Sequence, residues 1–165
     1  ADEALASRLE PAESTVGERL ELLRALRDAG IPTVVTLGPV LPYLTDSLEN
    51  LEALLGDCVE ARVYGVIQNG FGVTLRAGSS AYFFSCLREL DPELPEKYEA
   101  LLPPGKPRKA GMFLSPNAAA LADFFQKSTA ACRLVTDQEA LFAYRHAFLD
   151  RRAGQQLSLF DLFET

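Results

Sequence analysis

The chain has 165 residues, 16 Lys and Arg against 23 Asp and Glu, a net charge of −7 and 48% hydrophobic residues. That balance describes one mildly acidic globular domain with an adequate core and excludes disordered or collagen-like chains. No apolar run approaches the roughly 18 to 20 residues that cross a bilayer, the acidic start lacks a signal-peptide pattern, and the negative charge works against phosphate-driven binding of nucleic acid, so the expectation is a cytoplasmic protein with no membrane contact.

Thr15-Val16-Gly17-Glu18 has the form of a capping box, and Leu20, Leu23 and Leu26 share one face of the helix it opens. Gly30 is placed to end that helix. The β-branched run Thr33-Val34-Val35-Thr36-Leu37, between Pro32 and Gly38-Pro39, predicts a buried strand. Thr45 or Asp46 caps a second helix with Leu48, Leu51, Leu54, Leu55 and Cys58 on its apolar side, and Val63-Tyr64-Gly65-Val66-Ile67 predicts another strand. Helix, strand, helix, strand with short connections is the rhythm of parallel α/β units, because a parallel neighbour is reached through a crossover helix. Ser7-Arg8-Leu9-Glu10, before Pro11, reads as a further strand.

Beyond Asn69-Gly70 the pattern turns helical, with helices over 80–90 and 93–102 and a Pro, Gly and Lys loop over 103–111 as a subdomain boundary. Ser115-Pro116 signals the start of a helix with Leu121, Phe124 and Phe125 on its core face. Thr136-Asp137-Gln138-Glu139 opens the last helix, which carries Leu141, Phe142, Phe148 and Leu149. The division expected is 1–105, a helical extension over 106–150, and a tail over 151–165.

The tail holds Gln156-Leu157-Ser158-Leu159-Phe160 behind a polar tether. This string resembles the bacterial sliding-clamp binding pentapeptide at all five positions. An amide sets register by hydrogen bonding and Leu159 and Phe160 fill an apolar pocket, which is the chemistry of a docking peptide. The competing reading is that these apolar residues close the chain's own core.

A longer resemblance runs through Leu9-Glu10-Pro11, Ser14, Arg19, Asp28-Ala29-Gly30-Ile31-Pro32, Leu37-Gly38-Pro39-Val40-Leu41-Pro42 and Thr45-Asp46. In that order the motifs resemble the later part of radical S-adenosylmethionine proteins related to spore photoproduct lyase. Ser115-Pro116-Asn117, Phe142-Ala143-Tyr144 and the tail resemble one bacterial branch of the group. The resemblance implies a partial (β/α) barrel fragment with two or three parallel strands, a helical C-terminal region, and a DNA-repair lyase whose cofactors are S-adenosylmethionine and a [4Fe–4S] cluster. It places Glu10, Ser14 and Arg19 at the barrel mouth, with Glu10 accepting from a ribose hydroxyl or amino group and Arg19 pairing with a carboxylate. Taken without it, Glu10 is a strand-end residue, Ser14 part of a helix cap and Arg19 a surface charge.

Such a cluster needs three closely spaced thiolates. The chain has only Cys58, Cys86 and Cys132, widely spaced, with no CxxxCxxC, and reads them as reduced core thiols. This chain alone is therefore expected to hold no cofactor, to be catalytically inert, and to meet DNA only as part of a complete protein. A cut barrel exposes strand edges, so a homodimer or a collapse of the C-terminal helices onto the sheet is expected to cover them. The alternative function is a non-enzymatic adaptor for the sliding clamp.

The remaining signals are bland. Gly70-Phe71-Gly72 lacks a following Lys-Ser/Thr and reads as a turn; Gln68 and Asn69 either line a polar pocket or make that turn. Lys106, Arg108 and Lys109 are solubilising charges, Tyr82, Phe83 and Phe84 are core, and His146 faces solvent.

Overall fold

The computed structural model describes residues 3–102 and 111–150. The chain opens with α1 (Glu3–Leu9) and α2 (Val16–Asp28). The strand expected at residues 7–10 is a helix instead: Glu3 to Leu9 is rich in Ala and Leu, whose helix preference outweighs the short apolar–polar pattern, and Pro11 stops it. The capping box opening α2 is formed. The Glu18 amide donates to Thr15 Oγ1 at 3.1 Å and the Thr15 amide donates to Glu18 Oε2 at 2.8 Å. Those bonds hold the Glu18 carboxyl below its usual pKa, the Thr15 amide contributing most. Gly30 follows with φ 70° and ends the helix.

β1 (Val34–Leu37), α3 (Leu48–Glu60) and β2 (Gly65–Gln68) form the parallel unit. β1 and β2 pair in parallel with Val34 opposite Gly65 and Leu37 opposite Gln68. Val135 adds a parallel bridge to Gly65 on the far side of β2, where its carbonyl accepts from the Val66 amide at 2.8 Å. α3 is capped by Ser47, whose Oγ accepts from the Asn50 amide at 3.1 Å, rather than by Thr45 or Asp46. Those two are occupied elsewhere: Thr45 Oγ1 accepts from the Leu41 amide, and Asp46 is buried.

The chain next forms β3 (Gly72–Leu75), α4 (Ala77–Leu90), α5 (Leu94–Ala100) and β4 (Gly111–Leu114), and β3 and β4 pair antiparallel. This second sheet corrects the all-helical expectation. Val73, Leu75 and Phe113 point into a core while Thr74, Met112 and Leu114 point out, the period-2 alternation of a half-buried ribbon. α6 (Ala118–Ala131) starts at Asn117 rather than Ser115, and α7 (Gln138–Asp150) starts after Asp137, whose Oδ1 accepts from the Ala140 amide.

Two apolar clusters hold these parts. In the first, Leu51, Leu55 and Cys58 of α3 and Leu121 and Phe125 of α6 lie against Leu37 and Val66. Burying each such side chain contributes about 1.5–3 kcal/mol. In the second, Val73, Leu75, Phe84, Leu87, Leu94, Tyr98 and Phe113 pack with Leu41 from the loop after β1. Of the aromatic trio only Phe84 is fully buried. Tyr82, expected in the core, is 54% exposed, and Phe142 of α7 is 53% exposed. Both stand on helix faces turned from the clusters. Cys132 follows α6 as its cap and is exposed, unlike buried Cys58. Among the described residues no helix is long and apolar enough to cross a membrane. The protein is mixed α/β with two small sheets and, among these residues, no closed barrel.

Candidate functional site

A short turn joins α2 to β1, so the first turns of α2 stand at the C-terminal end of β1, the end where ligands meet parallel α/β sheets. Here a cavity of about 420 Å³ opens between α1, α2, β1 and α3. Leu5, Leu9, Leu20, Leu23, Leu54 and Phe83 make most of its wall apolar, and Glu10, Arg19 and Asp57 bring the charge.

Glu10, Ser14 and Arg19 come together. Arg19 Nη2 donates to Glu10 Oε2 at 3.1 Å, and Arg19 Nε donates to Ser14 Oγ at 3.2 Å. The convergence follows from local structure. Glu10 is delivered by the end of α1, Ser14 precedes the Thr15 cap, and Arg19 lies one turn inside α2. The side chains of Arg19 and Glu10 remain 48% and 46% exposed, so solvent screens the pair and an incoming anion or cation can compete for either partner. Glu10 is therefore not a strand-end residue: it follows a helix and is an ion-pair partner.

A network that sequence reading did not find, buried at Asp46 and Ser115 and open to solvent at Asn117, supports this end of β1. The Ser115 hydroxyl donates to Asp46 Oδ2 at 2.5 Å, and Asn117 Nδ2 donates to the Asp46 carbonyl at 3.1 Å. Ser115 Oγ accepts from the Asn117 amide at 2.9 Å, and Asn50 Nδ2 donates to the Thr45 carbonyl at 2.9 Å. The loop between β1 and α3 is thus tied to the start of α6. Of these four bonds only the one from Ser115 to the Asp46 carboxylate is charge-assisted, a class that is short and about twice as strong as neutral bonds.

Gln68 and Asn69 make a turn. Gln68 Oε1 accepts from the Gly70 amide at 2.7 Å, and Asn69 Oδ1 accepts from Gln138 Nε2 at 3.2 Å. The Gln68 Nε2 is buried and has no hydrogen-bond partner among the described residues. The Cys58 thiol is pushed up to about 11 by burial, so it stays protonated at neutral pH and is a poor nucleophile or ligand. Among the described residues no group of three His, Cys, Asp or Glu side chains is placed to hold a metal ion. An iron–sulfur cluster therefore does not fit the described residues. The His146 side chain, Lys106, Arg108 and Lys109, and Gln156, Leu157, Ser158, Leu159 and Phe160 lie outside the described residues.

No family model matches the chain, and no solved structure matches it. It is similar to an uncharacterized protein of Mycobacterium bovis, 38% identical over 116 residues, which cover 70% of this chain and 32% of that protein. Uncharacterized proteins from two strains of Mycobacterium tuberculosis match to the same extent. The chain spans about a third of the length of the curated relatives it matches.

Proposed function

We propose that these residues are the C-terminal part of a radical S-adenosylmethionine protein of the spore photoproduct lyase kind, a DNA-repair-like lyase, and that the chain alone is catalytically inert. In this reading β1, β2 and the Val135 segment are parallel strands of a partial (β/α) barrel, with α3 and α6 on its outside. One observation carries the reading: Glu10, Ser14 and Arg19 meet within hydrogen-bond distance beside an apolar hollow at the C-terminal end of β1. The donor set suits a zwitterionic, sugar-bearing cofactor. The Glu10 carboxylate accepts from an ammonium or ribose hydroxyl, the Arg19 fork pairs with a carboxylate, and the Leu side chains exclude water. S-adenosylmethionine supplies radical chemistry when a cluster in the rest of such a protein binds it; the residues here bind and orient it.

The test begins with the coding region upstream of residue 1, which is expected to encode three clustered cysteines. In that longer polypeptide, reconstituted anaerobically, Arg19→Ala is expected to weaken S-adenosylmethionine binding about tenfold or more, because a hydrogen bond to a charged group contributes roughly 1.5–3 kcal/mol. Unchanged affinity in calorimetric titration, or a longer polypeptide that binds neither iron nor sulfide, would refute the reading.

A second reading rests on the pentapeptide Gln156-Leu157-Ser158-Leu159-Phe160. We propose it as a recruitment peptide for the DNA sliding clamp, compatible with either an enzyme or a non-enzymatic adaptor. A labelled peptide of residues 151–165 is expected to bind purified clamp, and the Leu159→Ala, Phe160→Ala double variant to lose at least tenfold in affinity, as anchor residues do. Equal binding by both peptides would sink the idea.

A further inference from the structure

Among the described residues, the charged side chains lining the hollow at the end of β1 are Glu10, Arg19 and Asp57. Two carboxylates against one guanidinium leave a formal charge of −1. Glu10 and Arg19 answer each other across 3.1 Å. The Asp57 carboxylate, by contrast, has no ion-pair or hydrogen-bond partner among the described residues. Its place follows from how α2 and α3 meet. α2 enters β1 and α3 leaves it toward a parallel strand, so both helices run antiparallel to β1 and side by side. Near their C-terminal ends Arg24 Nη2 and Nε donate to Glu60 Oε1 at 2.9 and 3.1 Å, and Arg27 Nη1 donates to the Glu60 carbonyl at 3.2 Å. Residues three or four apart share a helix face, so one turn back from that contact Asp57 stands across the hollow from Leu20, the neighbour of Arg19.

Asp57 is half-buried, and Leu54, one turn before it, and buried Cys58, next to it, belong to the same wall. The Cys58 thiol registers its charge: burial first, and the Asp57 carboxylate second, push that thiol up to about 11. A half-buried carboxylate among apolar neighbours, without a counter-charge, is costly, and a cation seated beside it removes the cost. We infer that Asp57 is the counter-charge for a second positive centre in the bound ligand, the sulfonium of S-adenosylmethionine, and that the hollow selects a ligand of net charge +1 over its counterpart with a neutral sulfur. The charges match one to one. Arg19 takes the ligand's carboxylate, Glu10 its ammonium or ribose hydroxyl, and the third charge of the hollow is left for the third charge of the ligand. A neutral thioether in the same place would leave Asp57 dehydrated and unpaired, which is how a site rejects a ligand of nearly identical shape.

The inference rests on the cofactor assignment proposed above, and one titration separates the two. The longer polypeptide of that assignment, kept anaerobic and without reductant so that no ligand is consumed, is titrated with S-adenosylmethionine and with S-adenosylhomocysteine, which keeps the ammonium, carboxylate and sugar but carries an uncharged sulfur. The wild-type protein is expected to hold S-adenosylmethionine about tenfold or more the tighter, as one contact to a charged group implies. Asp57→Asn, which keeps the shape, should fold normally by circular dichroism and lose most of that preference by weakening S-adenosylmethionine alone. Asp57→Glu, which keeps the charge, should retain most of it. Arg19→Ala, at the end common to both compounds, should weaken both and leave their ratio unchanged. A wild-type protein that binds the two compounds equally, or an Asp57→Asn protein with the wild-type ratio, would overturn the inference and leave the cofactor assignment standing. If neither compound binds the wild-type protein, both fall.

Discussion

Tyr98→Ala is expected to destabilise the protein by about 3–5 kcal/mol, the range for truncating a fully buried aromatic ring. Tyr98 has no exposed surface, and its ring lies edge-on to Phe83 and Phe84 at centroid distances of 5.5 and 6.4 Å and beside Phe113 at 5.8 Å. Its hydroxyl donates to the Pro42 carbonyl at 2.8 Å, which joins α5 to the loop leaving β1. A domain of this size has roughly 5–15 kcal/mol of stability in all, so the alanine variant should be marginal at room temperature. Tyr98→Phe separates packing from hydrogen bonding: it keeps the ring and leaves the carbonyl unpaired, at about 1–3 kcal/mol. Urea unfolding followed by circular dichroism measures both, and equal losses for the two variants would mean that packing contributes little. The same residue sets an alkaline limit. Burial raises the Tyr98 phenol above its usual range and the Cys58 thiol to about 11. The folded state therefore keeps protons that the unfolded chain releases. The stability this contributes is whole below the unfolded pKa values and falls as pH rises through about 9 and above. Tyr98→Phe should remove the tyrosine part of that fall.

Gly65→Ala is expected to cost about 1–3 kcal/mol or more by overpacking. A Cβ at this position would collide with the Val135 carbonyl oxygen and approach Leu141 Cδ2 at 2.5 Å. The side chain could rotate away; the carbonyl could not retreat without giving up its bond from the Val66 amide. The damage should therefore concentrate where the Val135 segment and α7 meet β2, including the stacked pair Tyr64 and Tyr144, whose centroids are 3.7 Å apart. Amide exchange at Val66 and Val135 should accelerate well beyond that in β3 and β4. Uniform acceleration throughout, or none, would contradict the local origin of the effect.

These positions illustrate which parts of the fold could be read in advance. The capping box at Thr15 and Glu18, the β-branched run of β1 and the leucine face of α3 depend on neighbours a few residues away, and all three form, although β1, expected to be buried, leaves Val34 and Thr36 exposed and buries only Leu37. The paired residues Val73 and Phe113 of β3 and β4 are separated by two helices and a loop, and each strand has only four residues, too short for alternation to stand out. α1 reversed the expectation for the opposite reason: its intrinsic helix preference was stronger than a faint alternation. Glu10, Ser14 and Arg19 were singled out through the family resemblance, not from their spacing; that they meet follows from their lying within ten positions around the start of one capped helix. The bond between Asp46 and Ser115 was not legible, since it spans 69 positions, and each residue also has an ordinary use at a helix start.

The Asp46, Ser115 and Asn117 tie has a consequence for how the molecule opens. It joins the loop that contributes Leu41 to one apolar cluster with the helix that contributes Leu121 and Phe125 to the other. Separating the clusters would break the Ser115 hydroxyl's bond to the buried Asp46 carboxylate, which adds roughly 1.5–3 kcal/mol to the cost of parting them. The antiparallel β3–β4 pair and the parallel layer are thereby fastened by a polar tie at the loop leaving β1 as well as by apolar packing.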